Sequence, residues 1–126
     1  MELWHRMLGD KLTVVNGDKP LVRIQDGKIF AYGTPWSGKE NMHSNVRTEL
    51  KKVCFLKRSE TNNCLPVSKQ DVFEKLMVQI YRPKNLEQLM KILNLLGTFI
   101  ERTEFYTIMC NTQPEAAETA YKGLME

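Results

Sequence analysis

Apolar residues in the first third of the chain occur in short runs that predict one helix and then strands. Apolar side chains at positions 3, 4, 7 and 8 form the stripe of one helical face, and Gly9 with Asp10 predicts its end. Residues 12–15 and 21–24 predict two short strands, because glycine and proline between positions 16 and 20 prevent a continuous one. The chain therefore opens with a short helix followed by strands.

Strand signals continue to position 56. Asp26-Gly27, between apolar residues 22–24 and 29–32, is typical of a two-residue hairpin turn. Residues 33–45 have no apolar period and predict a long loop, which in a compact domain is commonly functional. Residues 50–56 predict another strand, and the apolar run at 53–56 indicates a central position covered on both faces. A polar loop is expected at 59–63.

Helical periodicity begins after position 67. Ser68, followed three residues later by Asp71, predicts a capped helix N-terminus. The buried face of this helix is predicted to consist of Val72, Phe73, Leu76, Met77 and Ile80. Pro83 separates it from the longest predicted helix, residues 86–102, in which apolar positions 86, 89, 90, 93, 96 and 100 keep the helical period.

The last segment predicts a strand and a helix. Residues 104–110 alternate loosely as a strand, and Thr112 as N-cap with Pro114 in the first turn predicts a helix that ends near Met125. The order of elements predicts an α/β or α+β domain in which helices cover a mixed sheet. At 126 residues the chain is expected to be a single domain, 1–126.

Composition excludes several classes of protein. Hydrophobic residues make up 42% of the chain, enough for one core, and no apolar run approaches a membrane span or a signal peptide. The three cysteines are widely spaced without a Cys-x-x-Cys pair, which argues against a disulfide framework or a zinc site and favours a reducing, cytoplasmic location. We predict no membrane partner.

The net charge of +3 has its basic excess at Lys51, Lys52, Lys57 and Arg58, which flank an apolar strand. This pattern is more typical of a strand edge protected by charge than of a nucleic-acid surface, because no aromatic residues are interleaved with the basic ones. We therefore predict no nucleic-acid partner.

The segment Gly33 to Lys39 matches the pattern G-x-x-x-x-G-K of a phosphate-binding loop. Glu40 stands where that loop has Ser or Thr for Mg²⁺, and the polar residues after Lys39 do not have the period of the helix that the loop should open. We predict that this segment is not an autonomous Walker A loop.

Several segments together resemble one family. They are Leu-Trp at 3–4, Asn-Gly-Asp-Lys-Pro at 16–20, Gly-Thr-Pro-Trp-Ser-Gly-Lys at 33–39, the strand at 50–56, Tyr-Arg-Pro at 81–83 and Cys-Asn-Thr-Gln-Pro-Glu-Ala-Ala at 110–117. The chain resembles P-loop proteins related to HPr serine kinase/phosphorylase and, more distantly, to ATP-dependent phosphoenolpyruvate carboxykinase. The resemblance covers nearly the whole chain and implies the C-terminal portion of an HPr kinase-like domain.

The resemblance also implies site residues and cofactors. Asp18 is implied as a catalytic residue, as base or as a ligand of Mg²⁺, and Ser37, Gly38 and Lys39 as the nucleotide- and phosphate-binding residues, with Mg²⁺ and ATP as cofactors. Two departures weaken this expectation. Gly17 replaces the first of two family carboxylates, and the true phosphate loop of the family would lie just before Met1.

Each of these residues also has a purely structural explanation. The Asp18 carboxylate could instead bond its own backbone in a turn near Pro20, and Lys39 could be a solvated loop lysine. Trp36 is expected to be a packing anchor rather than a stacking platform, and His43 an exposed loop histidine rather than a phosphate ligand.

Two functions follow. The first is a fragment or degenerate member of an ATP-dependent kinase family, which binds nucleotide weakly or not at all and takes a protein, peptide or small-molecule phosphoacceptor. The alternative is a non-catalytic domain that binds a protein or peptide on the same scaffold. A homo-oligomer is expected in either case, because loss of an upstream strand would leave an open sheet edge and uncover Leu3, Trp4 and Leu8.

Overall fold

The computed structural model describes residues 1–39 and 41–125, and within them the chain forms four α-helices and six strands. The helices are α1 (Glu2–Leu8), α2 (Lys69–Met77), α3 (Leu86–Arg102) and α4 (Pro114–Met125), and a 3-10 turn (Gly9–Lys11) follows α1. The strands are β1 (Leu21–Gln25), β2 (Lys28–Tyr32), β3 (Arg47–Glu49), β4 (Lys52–Arg58), β5 (Asn63–Pro66) and β6 (Glu104–Cys110). The mixed α/β class predicted from the sequence is confirmed, but the strands form two small sheets instead of one.

The first sheet is antiparallel, in the order β1-β2-β3. Its hairpin turn is the predicted one, since Asp26 and Gly27 have φ of 52° and 75°, and two successive positive φ angles give the turn whose twist suits a hairpin. β3 lies between the predicted loop at 33–45 and the predicted strand at 50–56, and no sequence pattern indicated it because its three residues are polar and exposed.

The second sheet has the order β4-β6-β5, with β4 parallel and β5 antiparallel to the central β6. The predicted central position of the strand at 50–56 is wrong, since β4 is an edge strand and Leu56 is 75% exposed. β5 was also missed. It contains Pro66, which a strand tolerates at the sheet edge, where one side of the backbone needs no partner.

The main core lies between the second sheet and the helix pair α2 and α3. Its buried residues are Val72, Leu76, Leu96, Ile100 and Phe105. The Phe105 ring stacks on Phe55 at 6.2 Å and meets Phe99 edge-on at 5.6 Å, so three aromatic side chains from β4, β6 and α3 tie sheet to helix. The predicted cap of α2 is confirmed, because the Ser68 hydroxyl accepts the Asp71 N–H.

Some predicted helix positions are not buried. Phe73 on α2 and Leu86 and Met90 on α3 are exposed, and Ile80 lies beyond the end of α2, although it packs against the core. The buried face of α3 is therefore narrower than its apolar stripe. The buried residues of α3 are Leu96 and Ile100, in its C-terminal half.

The opposite face of the second sheet is covered by α4 through small side chains. Ala116, Ala117 and Ala120 are buried, and a Cβ on Gly123 would lie 2.5 Å from the Cys64 Cβ, so the helix approaches β5 closely. α4 begins at Pro114, two residues after the predicted cap Thr112, and the Asn111 side chain accepts the Gln113 N–H just before the helix.

Helix α1 packs on α4 instead of standing free. The rings of Trp4 and Tyr121 lie 6.2 Å apart, and Leu3, Trp4 and Leu8 are half-buried. The three side chains are therefore covered in part by α4, and self-association through α1 stays a prediction. Within the described residues, no helix combines the length and apolar character needed to cross a membrane.

Candidate functional site

Two segments distant in the sequence pair in the loop region between α1 and β3. The Gly17 N–H donates to the Met42 carbonyl at 2.8 Å, the Ser44 N–H donates to the Val15 carbonyl at 3.1 Å, and Asn16 faces His43 in an isolated antiparallel bridge. The predicted strand at 12–15 is therefore wrong, because this region makes only one bridge and no ladder. We call residues 14–18, 33–39 and 41–44 the loop site.

The Asn16 side chain is the centre of the loop site. Its Nδ2 donates to the Thr34 hydroxyl at 2.6 Å and to the Trp36 carbonyl at 3.2 Å, while its Oδ1 accepts the Asp18 N–H at 2.8 Å. The Thr34 hydroxyl, which is buried, donates in turn to the Trp36 carbonyl at 2.9 Å. One amide side chain thus fixes the backbone at both Asp18 and Trp36.

Asp18 and Gly38 lie in contact. Gly38 has a φ of 80°, and a Cβ there would lie 3.0 Å from the Asp18 Cβ and 3.6 Å from its Oδ2. Glycine is required at position 38 for both the backbone angle and the close approach. The Asx-type turn here belongs to Asn16, and within the described residues no hydrogen bond to the Asp18 carboxylate is seen, so that carboxylate is available to a ligand.

Ser37 is buried beneath this turn, with 3% of its surface exposed. Its hydroxyl donates to Asn41 Oδ1 at 3.3 Å and lies 2.9 Å from His43 Nδ1. The Ser37 hydroxyl thus lies within hydrogen-bond distance of two residues of the segment 41–44. The Ser37 side chain therefore holds the loop and orients His43, which is exposed.

Lys39 and Trp36 face solvent on either side of Ser37 and Gly38. Lys39 is exposed in the turn that the Asn41 N–H closes onto the Gly38 carbonyl at 3.2 Å, and Glu40 lies outside the described residues. Trp36 is 56% exposed, so its indole is not the packing anchor that the sequence predicted. The structure thus brings together all four predicted site residues, Asp18, Ser37, Gly38 and Lys39.

The missing family carboxylate at position 17 has a local structural correlate. A Cβ on Gly17 would lie 3.3 Å from both the Met42 Cβ and the Met42 carbonyl oxygen, closer than a side chain usually packs. A side chain at this position would require Met42 to shift by a few tenths of an ångström. Among the residues that define the loop site, the one carboxylate is that of Asp18.

A single carboxylate fits Mg²⁺ only together with a phosphate ligand. Within residues 1–39 and 41–125, no three His, Cys, Asp or Glu side chains cluster closely enough to hold a metal ion by themselves. Mg²⁺ usually keeps several waters and is bound by one or two carboxylates plus substrate phosphates. Asp18, with its carboxylate beside the turn that carries Lys39, suits this shared mode of coordination.

Titration behaviour does not single out another site. Burial raises the pKa of the Cys54 thiol to about 11, so this side chain is protonated at neutral pH and is not an activated nucleophile. The pKa of Tyr32 is lowered, mainly by a hydrogen bond from Arg47, on the exposed surface of the first sheet.

Sequence reasoning missed Asn16, Thr34, Asn41 and His43 as members of the site. Asn16 had a local signal, because Asn before Gly favours a turn in which the side chain bonds the backbone two residues on. Thr34 and Asn41 had none, and His43 was assigned to an exposed loop. Their roles depend on the pairing of 14–18 with 41–44, which no local pattern encodes.

Comparison with known protein families, with curated proteins and with solved structures found no match in any of the three.

Proposed function

We propose that the loop site is the phosphate- and Mg²⁺-binding part of a partial or degenerate ATP-dependent kinase, related to HPr serine kinase and carboxykinase. The observation that carries the proposal is the contact between Asp18 and Gly38, which places a carboxylate with no hydrogen bond among the described residues against the residue that precedes the exposed Lys39. A lysine on a turn and a carboxylate packed against that turn suit a phosphate together with its Mg²⁺.

The roles follow from the chemistry of phosphoryl transfer, in which a protein mainly positions phosphates and neutralises their charge. Ser37 and Gly38 form the turn, Lys39 supplies positive charge to a phosphate, and Asp18 holds the Mg²⁺ that the phosphate shares. Asn16 is a positioning residue, because its side chain fixes the backbone at Asp18 and Trp36.

The proposal implies weak binding. Within the described residues, no glycine-rich loop opens a helix, so phosphates are held by one lysine and one carboxylate instead of a ring of backbone N–H groups. We expect the dissociation constant of Mg-tripolyphosphate to lie in the millimolar range, about 4 kcal/mol of binding free energy.

Calorimetry or ³¹P NMR titration with Mg-tripolyphosphate tests the site. Lys39→Met is expected to weaken binding about tenfold, because it removes a charge-assisted hydrogen bond, and Asp18→Asn to remove the dependence on Mg²⁺. Lys84→Met, which deletes the same charge from another exposed loop, is the matched control and is expected to bind as wild type does.

Equal losses in Lys39→Met and Lys84→Met would show a general charge effect and contradict the site. A wild-type dissociation constant for Mg-ATP at or below about 10 µM would contradict the expected weakness.

A second candidate function, the binding of a protein segment without chemistry, is favoured by the edge of β4. The Glu104 N–H donates to the Lys51 carbonyl and the Ser59 N–H donates to the Cys110 carbonyl, so odd-numbered β4 residues face β6. The outward backbone groups are those of Lys52, Cys54, Leu56 and Arg58. Among these residues, Leu56 is 75% exposed and offers an apolar side chain at the edge.

The basic residues at both ends of β4 indicate which kind of segment would pair with this edge. Lys51 and Lys52 lie at one end of β4 and Lys57 and Arg58 at the other, so the edge suits an extended, centrally apolar segment with acidic residues at both ends. A second copy of β4 would bring like charges together in antiparallel pairing. The expected homo-oligomer stays a prediction, and its test is included below.

Amide hydrogen exchange followed by NMR distinguishes these cases. An acid-ended eight-residue strand peptide is expected to protect the amides of Cys54, Leu56 and Arg58, while the same peptide with lysine ends and the variant Leu56→Lys give no protection. Protection that rises with protein concentration alone would indicate self-association through β4. Unprotected amides under all conditions would contradict the second candidate.

A further inference from the structure

The geometry points to Trp36 as a stacking platform for the base of a nucleotide whose phosphates lie at Lys39. This inference rests on the proposed function, because it assigns the part of the ligand that the phosphate site does not contact. It names a nucleotide as the ligand class of the loop site.

The position of Trp36 is fixed by its backbone and not by its side chain. Its carbonyl accepts hydrogen bonds from Asn16 Nδ2 at 3.2 Å and from the Thr34 hydroxyl at 2.9 Å, and Thr34 itself is buried. A large apolar side chain on a fixed backbone usually packs inward. Here 56% of the residue is exposed.

The indole is also without an aromatic or cationic neighbour among the described residues. The other tryptophan, Trp4, meets Tyr121, and the phenylalanines of the core meet one another, whereas Trp36 makes no aromatic or cation-π contact. An open planar face on a fixed backbone is suited to stacking, and a base stacked on an aromatic side chain is a sequence-tolerant source of affinity.

The neighbours of Trp36 select a nucleotide over other planar ligands. Two residues separate the indole from Lys39, and the carboxylate of Asp18 lies against the intervening turn at Gly38. A ligand that uses all three groups needs a flat ring system together with a Mg²⁺-bound phosphate. Phosphate on a peptide or a small acid would use Lys39 and Asp18 but not the indole.

The test uses the full chain with Trp4→Phe, so that Trp36 is the single tryptophan and its emission reports on the ligand. Mg-ATP and adenosine are expected to quench this emission saturably, and Mg-tripolyphosphate to bind without quenching. By ³¹P NMR, Trp36→Ala is expected to weaken Mg-ATP binding about tenfold and to leave Mg-tripolyphosphate unchanged, while Trp36→Phe retains most of the ATP affinity.

The outcomes separate this inference from the phosphate site. Trp36→Ala is expected to fold, because the hydrogen bonds at this position involve the backbone carbonyl, which alanine keeps. Equal ATP affinity in wild type and Trp36→Ala, with tripolyphosphate binding still dependent on Lys39, would overturn only the stacking role. Absence of Lys39-dependent tripolyphosphate binding would overturn the proposed function itself, and quenching by a Pro-rich peptide but not by adenosine would replace the nucleotide with a peptide ligand.

Discussion

Gly33→Ala is expected to lower the free energy of unfolding by about 3 kcal/mol and to disrupt the loop site. A Cβ on Gly33 would lie 1.6 Å from the Ser44 carbonyl oxygen and 2.8 Å from the carbonyl carbon, with the Val15 oxygen at 3.0 Å. All three are backbone atoms that cannot rotate away as a side chain would. The chain must therefore separate the end of β2 from residues 44–46, where the Gly33 N–H donates to the Val46 carbonyl at 2.9 Å.

Urea unfolding measures this effect, and Gly97→Ala is the matched control. Gly97 lies inside α3, and apart from its chain neighbours and the backbone of its own helix no atom lies within 4 Å of its Cβ position, so alanine there is expected to stabilise the protein by about 0.5–1 kcal/mol. Alanine is thus expected to lower the free energy of unfolding at Gly33 and to raise it at Gly97. A Gly33→Ala variant within about 1 kcal/mol of wild type would contradict the close approach of Gly33 and Ser44.

The parts of the fold that the sequence predicted well are those determined by neighbouring residues. The bounds of α3 and β6, the Asp26-Gly27 turn and the Ser68 cap each depend on side chains within a few residues of one another. Helical period, positive φ and capping are local properties, so a single sequence is sufficient to indicate them.

The order of the strands was not accessible in the same way. The apolar run at 53–56 indicated a central strand, yet β6 takes the centre because β5 returns antiparallel beside it after a sharp polar loop. Which strand lies at an edge is decided by pairing between distant segments, and the same run is compatible with either place. Leu56 is the residue that shows the difference, since its exposure would be unfavourable in a central strand.

The loop site shows the same difference between local signals and contacts of distant segments. Asp18, Ser37, Gly38 and Lys39 were named through the resemblance of two short segments, and the structure places those segments together. The contacts that hold the segments together depend on Asn16 and His43, whose partners are far away in the sequence. A motif identifies residues that could contact a ligand but gives less information about those that position them.

Asn16→Asp is expected to be the most informative change in the loop site, because it alters only the donor end of one side chain. The carboxylate keeps an acceptor for the Asp18 N–H but cannot donate to the Thr34 hydroxyl or the Trp36 carbonyl, and it places negative charge beside that carbonyl. Loss of the part-buried hydrogen bond to Thr34 and of the exposed one to Trp36, together with the added charge, predicts about 2 kcal/mol lower stability at pH 7.

The pH dependence of this loss provides an internal test. The carbonyl beside the new carboxylate disfavours its charged form, so its pKa in the folded protein rises above about 3.9. The unfolded chain then releases the proton more readily, and the stability of N16D relative to wild type falls as pH rises through that folded pKa. At low pH the protonated acid can donate to the Trp36 carbonyl. The difference in unfolding free energy between variant and wild type is therefore expected to be small near pH 4 and to reach its full size at pH 7.

Asn85→Asp is the control for charge alone. Asn85 caps α3 by accepting the Gln88 N–H at 3.1 Å, a role that needs only an acceptor and that a carboxylate at a helix N-terminus performs equally well. Its stability at pH 7 is expected to lie within about 0.5 kcal/mol of wild type. If urea unfolding gives Asn16→Asp the same small change as Asn85→Asp, the Asn16 amide is not the donor that holds Thr34 and Trp36, and the platform at Trp36 loses its fixed backbone.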